Sequence, residues 1–140
     1  MRLEDKDVYE IIEARLKLTE EQIDYLFEKN RFLKQVLSID IVDLIIFFED
    51  YGITEEEMAK IAMANPYFLT ESFERIRYIE EFLKMVGITD IRYMAVNHPT
   101  SMSLNPIKIK NFIEENRQAG KTDEEIKKML MNDFEKYFTL

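Results

Sequence analysis

The sequence predicts an all-α fold: a solenoid of about four helix-turn-helix repeats of about 34 residues, each closed by a short proline-started 3-10-like turn. Three observations lead there. Only three Gly and three Pro occur in 140 residues, too few breakers for a many-turned β-sandwich. Ile, Val and Leu recur three and four residues apart, the spacing of one helix face. A short motif also returns at a nearly fixed interval. KLTEEQ begins at Lys17, GITEEE at Gly52, GITDIR at Gly87 and GKTDEE at Gly120, with starts 35, 35 and 33 residues apart.

The first helix of each repeat is read from its apolar face. Residues 5–16 carry Val8, Ile11, Ile12 and Leu16. Residues 39–51 are apolar nearly all round, as expected of a helix sandwiched between neighbours. Residues 73–86 carry Phe73, Ile76, Ile79, Phe82, Leu83 and Val86, and residues 106–118 carry Ile107, Phe112 and Ile113. Ser38, Ser72 and Asn105 stand at the N-cap positions of the last three, Asn105 with Pro106 at the first helical position. Gly52, Gly87 and Gly120 supply the left-handed turn that ends a first helix.

Second helices are expected over 19–30, 54–64, 89–97 and 122–132. Thr19, Thr54 and Thr122 each have Gln or Glu three residues on, a capping box in which two side chains satisfy amides of the first turn. At Thr89 the third residue on is Arg92 and two residues are missing, so that cap is weaker. The helices end at Asn30, Asn65, His98 and Asn132. Pro66 and Pro99 stop their helices and start a new turn. Apolar plugs follow: Phe32-Leu33, Tyr67-Phe68-Leu69, Met102 with Leu104, and Phe134 with Tyr137-Phe138. Each turn is expected to pack against the first helix of the next repeat. Ile45, Phe48, Ile61, Ile76, Leu83 and Phe112 are expected in the core. The chain is read as one domain, 1–140, with repeats at about 1–37, 38–71, 72–104 and 105–140.

The stretch YGITEEEMAKIAMANPYFLTESFERIRYIEEFLKMVGITDIRYMAVNHPTSMSL resembles two successive mTERF motifs, the repeats of the mitochondrial transcription termination factor family. Its carriers are Gly-apolar-Thr opening a helix, a proline closing it, an apolar plug and the next long helix. In residues 1–37, Lys17 and Arg31 replace the Gly and Pro; in 105–140, Asp133 replaces the Pro. Tetratricopeptide repeats share the period but need small residues and a Trp/Tyr pattern that this chain does not have. The resemblance implies an all-α solenoid that binds duplex nucleic acid or structured RNA along a basic groove and acts in organelle gene expression.

Charge divides the function classes. The net charge is -9, and residues 38–71 alone hold eight carboxylates against one lysine. Nucleic-acid affinity rests on phosphate neutralisation by Lys and Arg. On charge the chain therefore reads first as a non-enzymatic protein-interaction or scaffold module, using the acidic face Glu49, Asp50, Glu55 and Glu56. The alternative is a nucleic-acid binder of mTERF type. Its candidate stripe is Arg75 and Arg77 with their repeat equivalents Lys108 and Lys110, although a solvated helix surface balanced by Glu74, Glu80 and Glu81 is the ordinary reading of such charges.

No cofactor or metal is expected. Cysteine is absent, and the acidic runs Glu55-Glu56-Glu57 and Asp123-Glu124-Glu125 are explained by capping rather than by a cation. No phosphate-binding glycine loop, HExxH or GxSxG occurs. His98, the only histidine, is read as a helix-end residue and not as a catalyst. The N-terminal MRLEDKDVYE is acidic without an apolar core, so it reads as neither signal nor transit peptide. With no cysteine and no membrane-length apolar run, a cytoplasmic protein is expected.

Overall fold

The computed structural model describes residues 3–138. The chain forms two compact units, Met1–Glu71 and Ser72–Leu140, divided at the boundary between the second and third repeats. The described residues are helical, without strands.

The first unit holds α1 (Leu3–Leu16), α2 (Glu20–Lys29), a 3-10 turn (Arg31–Lys34), α3 (Ser38–Glu49), α4 (Glu55–Ala64) and a second 3-10 turn (Phe68–Thr70). Thr19 and Thr54 cap α2 and α4 with full capping boxes. The Thr54 hydroxyl oxygen accepts from the Glu57 amide at 3.1 Å, and Glu57 accepts from the Thr54 amide at 3.0 Å. Four orphan amides at each helix start make such reciprocal pairs effective. The core is built from Ile12, Ile23, Leu26, Ile45, Phe48 and Met58, all fully buried. Phe48 stacks on Phe68 with ring centroids 4.3 Å apart. That stack is how the plug after Pro66 locks the turn onto α3.

The second unit holds α5 (Phe73–Lys84), α6 (Ile91–Asn97), a third 3-10 turn (Pro99–Ser103), α7 (Pro106–Gln118) and α8 (Asp123–Tyr137). Ser72, Asn105 and Thr122 act as N-caps. Ile76, Ile79, Leu83, Ile109, Ile113 and Leu130 are fully buried, and α5 packs directly on α7. Gly52, Gly87 and Gly120 all take positive φ, at 83°, 89° and 89°. Lys17, in the equivalent place of the first repeat, is forced to φ 55°.

Several local expectations are corrected. Ser38 is the first residue of α3 and not its cap. The Asp40 carboxylate instead accepts from the Leu37 amide, 3.2 Å away. In the third repeat the cap passes from Thr89 to Asp90, whose carboxylate accepts from the Tyr93 amide, so α6 is the shortest α-helix described. The fourth repeat has no separate 3-10 turn. Asp133, lacking proline's ring, leaves helical geometry (φ -128°, ψ 31°), but α8 continues through the kink to Tyr137. Each 3-10 turn packs on the first helix of its own repeat, on α1, α3 and α5 respectively. In the first two plugs the residue after the break stays outside: Phe32 and Tyr67 are exposed while Leu33 and Phe68 are buried; in the fourth, Phe134 directly after Asp133 is buried. Phe112 is half-buried at the edge of α7, where its ring lies against Tyr137 and Phe138. Nor is α3 sandwiched on every side, since Ile39 and Ile46 are exposed.

Candidate nucleic-acid interface

The candidate cations lie on α5 and α7, the two first helices of the second unit. Ser72 starts α5 by accepting from the Arg75 amide, and Asn105 with Pro106 starts α7. Both helices turn their central isoleucines inward: Ile76 and Ile79 on α5, Ile109 and Ile113 on α7. Arg75 and Arg77 sit one on each side of buried Ile76. Two residues span about 200° of helix, so the two guanidinium groups leave opposite flanks. Lys108 and Lys110 flank buried Ile109 in the same way. Helix geometry therefore divides the four cations into two repeat-equivalent pairs, Arg75 with Lys108 and Arg77 with Lys110.

The Arg77 flank holds carboxylates. Arg77 shares a shallow groove with Glu74, Tyr78 and Glu81. Lys110, half-buried, faces Glu114 at 4.0 Å. Carboxylates thus interleave this pair. Three and seven positions after Arg75 are Tyr78 and Phe82, whose rings stack with centroids 6.3 Å apart; Tyr78 stands between the two flanks, since it also lines the Arg77 groove. The residue three after Lys108 is Asn111, exposed like Lys108 itself. Cations beside an exposed aromatic ring and an amide are groups that can meet phosphates and bases. Tyr78 and Asn111 were not singled out from sequence, yet their spacing of three from each cation was a usable signal.

The acidic face is more committed to the fold than its sequence suggests. Arg15 at the end of α1 donates to Glu49 and to Glu55, each at 2.9 Å, tying α1 to the end of α3 and the start of α4. The bond to Glu55, helped by Glu49, raises the Arg15 guanidinium above its ordinary value. Glu56 pairs with Lys60 one helical turn on, and the Asp50 amide caps the end of α3. Arg117 is the counterpart staple of the second unit. It pairs with Asp123 at 2.9 Å and donates to the Met85 carbonyl at 3.0 Å. Hydrogen bonding to Arg117 holds the Asp123 carboxyl below the usual carboxylate range.

His98 is the C-cap of α6 and is buried. Its Nδ1 lies 2.7 Å from the Glu135 carboxylate and its Nε2 2.6 Å from the Met131 carbonyl. The Asp133 kink disturbs the helical pairing at the end of α8, and the Tyr93 hydroxyl also donates to that Met131 oxygen at 3.2 Å. The ring is thus absorbed in joining two repeats. Among the described residues, no group of three His, Cys, Asp or Glu side chains is placed to hold a metal ion.

The family model for mTERF matches residues 2–136. The chain belongs to the mTERF family. The match takes in all four repeats, including the first and fourth, where the motif glycine or proline is replaced. The structure shows why these mTERF repeats persist without those residues. Lys17 adopts the glycine conformation, and Asp133 breaks the helix without a ring. No curated protein and no solved structure matches the chain. Among its described residues, no helix is long and apolar enough to cross a membrane.

Proposed function

We propose that this mTERF protein is a non-enzymatic helical-repeat module that binds duplex nucleic acid or structured RNA. The observation that carries the reading is membership of the mTERF family along nearly the whole chain. It reverses the order drawn from net charge, which put a protein partner first. The physical reason is that net charge is an average. The first unit holds the whole excess, -9, whereas the second is balanced and can present cations locally. Arg75 and Lys108, with Tyr78 and Asn111 three residues on, form the phosphate-contacting edge. Arg77 and Lys110 contribute less, because neighbouring carboxylates oppose a polyanion there.

The test is a titration of duplex DNA and of structured RNA into the full chain at two salt concentrations. Binding that weakens with salt, with a log–log slope of about 0.9 per phosphate contacted on B-DNA, supports the reading. Absence of binding to either polymer at low salt overturns it and returns the protein partner to first place.

A further inference from the structure

We infer that the exposed face of α3, with the groove between α3 and α1, docks a basic amphipathic helix of a partner protein. Ile39, Val42 and Ile46 lie three and four residues apart and share one side of α3. Ile39 is 56% and Ile46 48% exposed, and Leu37, just before the helix, is 59% exposed. Val42 continues the stripe into a groove floored by Ile11 and Ala14 of α1. Apolar surface gathered in this way is a recognised mark of a docking site.

The repeat itself shows that the stripe is not an architectural need. Counting back from the turn glycine, the positions of Ile39, Val42 and Ile46 are held on α5 by Glu74, Arg77 and Glu81. Three charges stand there in one repeat and three apolar side chains in the preceding one, while the inward residues stay apolar in both.

Charge decides the occupant. Asp7 and Glu10 of α1 line the groove, and Asp40 and Asp43 flank the stripe on α3. Among the described residues that line the groove the cation is Arg15, already tied to Glu49 and Glu55. The surrounding unit carries -9. A second copy would bring the same excess, and nucleic acid or an anionic bilayer would be repelled. An amphipathic helix with Leu- or Ile-type residues on one side and Lys or Arg on its flanks satisfies both terms. The stripe from Ile39 to Ile46 is about 10 Å long, two helical turns, so two turns of a partner helix cover it.

The probe is a synthetic Leu/Lys amphipathic peptide of about 18 residues, roughly five helical turns, with a Leu/Glu peptide of the same pattern as control. Binding to the full chain is followed by calorimetry and by amide chemical-shift mapping. The Leu/Lys peptide is expected to bind, to shift amides of α1 and α3, and to lose affinity when salt is raised. The Leu/Glu peptide should not bind. Ile39→Ser with Ile46→Ser should weaken the Leu/Lys peptide at least tenfold with an unchanged helical spectrum, whereas Ile107→Ser, at an exposed isoleucine of the second unit, should not. Equal affinity for the Ile39/Ile46 variant and the parent overturns the inference. So does concentration-dependent dimerisation in sedimentation that the same double variant abolishes, because the occupant is then a second copy.

Discussion

The Asn30 side-chain amide donates to the Pro66 carbonyl at 2.9 Å, from one repeat to the next within the first unit. The same NH2 also donates to the Thr70 hydroxyl at 2.8 Å, while the side-chain oxygen accepts from the Phe32 amide at 3.1 Å. One fully buried residue therefore ends a helix, starts a 3-10 turn and pins that turn to its successor. In the second unit His98 performs the same joining with Met131 and Glu135.

Asn30→Ala should cost about 1–3 kcal/mol, because it removes three hydrogen bonds made by a fully buried side chain. Asn30→Asp separates the two roles of the side chain. It keeps the acceptor for Phe32 but turns an oxygen towards the Pro66 carbonyl, so it should be at least as damaging. Chemical denaturation measures both, and an Asp variant as stable as the parent would assign the residue's value to capping alone.

The turn glycines make a paired prediction. No atom lies within 4 Å of a Cβ built on Gly120, so Gly120→Ala tests backbone conformation without crowding. A left-handed residue bearing Cβ costs roughly 1–2 kcal/mol, and the stiffer unfolded chain returns about 0.4–1 kcal/mol. The net loss should be on the order of 1 kcal/mol. Lys17→Gly is the mirror experiment: it relieves φ 55° and should stabilise by a similar amount. A destabilised Lys17→Gly would show that the lysine side chain contributes more than its conformation costs.

Repeat period, threonine caps and positive-φ glycines were all legible in the sequence, because each depends on residues close together in the chain. What was not legible depends on angle and on neighbours. Arg75 and Arg77 were grouped because period matching aligns repeats without asking which side of the helix each residue leaves. The helix over 39–51 reads as sandwiched, and Ile39 and Ile46 show otherwise, because composition cannot tell an unpartnered face from a covered one. Ser38 is not the cap because α3 starts one residue earlier than its serine suggests, with the Leu37 amide held by the Asp40 carboxylate from inside the first turn.

Acid should loosen the start of α8. The Asp123 carboxyl is lowered by its bond to Arg117, and Glu125 is lowered chiefly by the Thr122 amide. Both are depressed in the folded chain relative to the unfolded one. Their stabilisation is therefore present above the usual carboxylate range, about pH 4, and is lost as pH falls through the lower folded values. Denaturation followed from neutral pH into that range should show the decline, and Asp123→Asn with Glu125→Gln should flatten it. An unchanged acid limb would place the pH dependence on other carboxylates.

The two cation flanks give the final prediction. If Arg75 and Lys108 form the phosphate-contacting edge, Arg75→Gln with Lys108→Gln removes two contacts, and the log–log salt slope on B-DNA should fall by about 1.8. Arg77→Gln with Lys110→Gln should change the slope less, since Glu74, Glu81 and Glu114 already oppose a phosphate on that side. Neither pair should unfold the chain, because charges at exposed helix positions contribute little stability. Tyr78→Ala should lower affinity without altering the slope if its ring stacks on a base, as stacking releases no counterions. Equal slope losses from the two charge pairs would mean that the bound polymer reaches both flanks. A loss confined to Arg77 and Lys110 would move the interface to the carboxylate-lined side and overturn the assignment of Arg75 and Lys108.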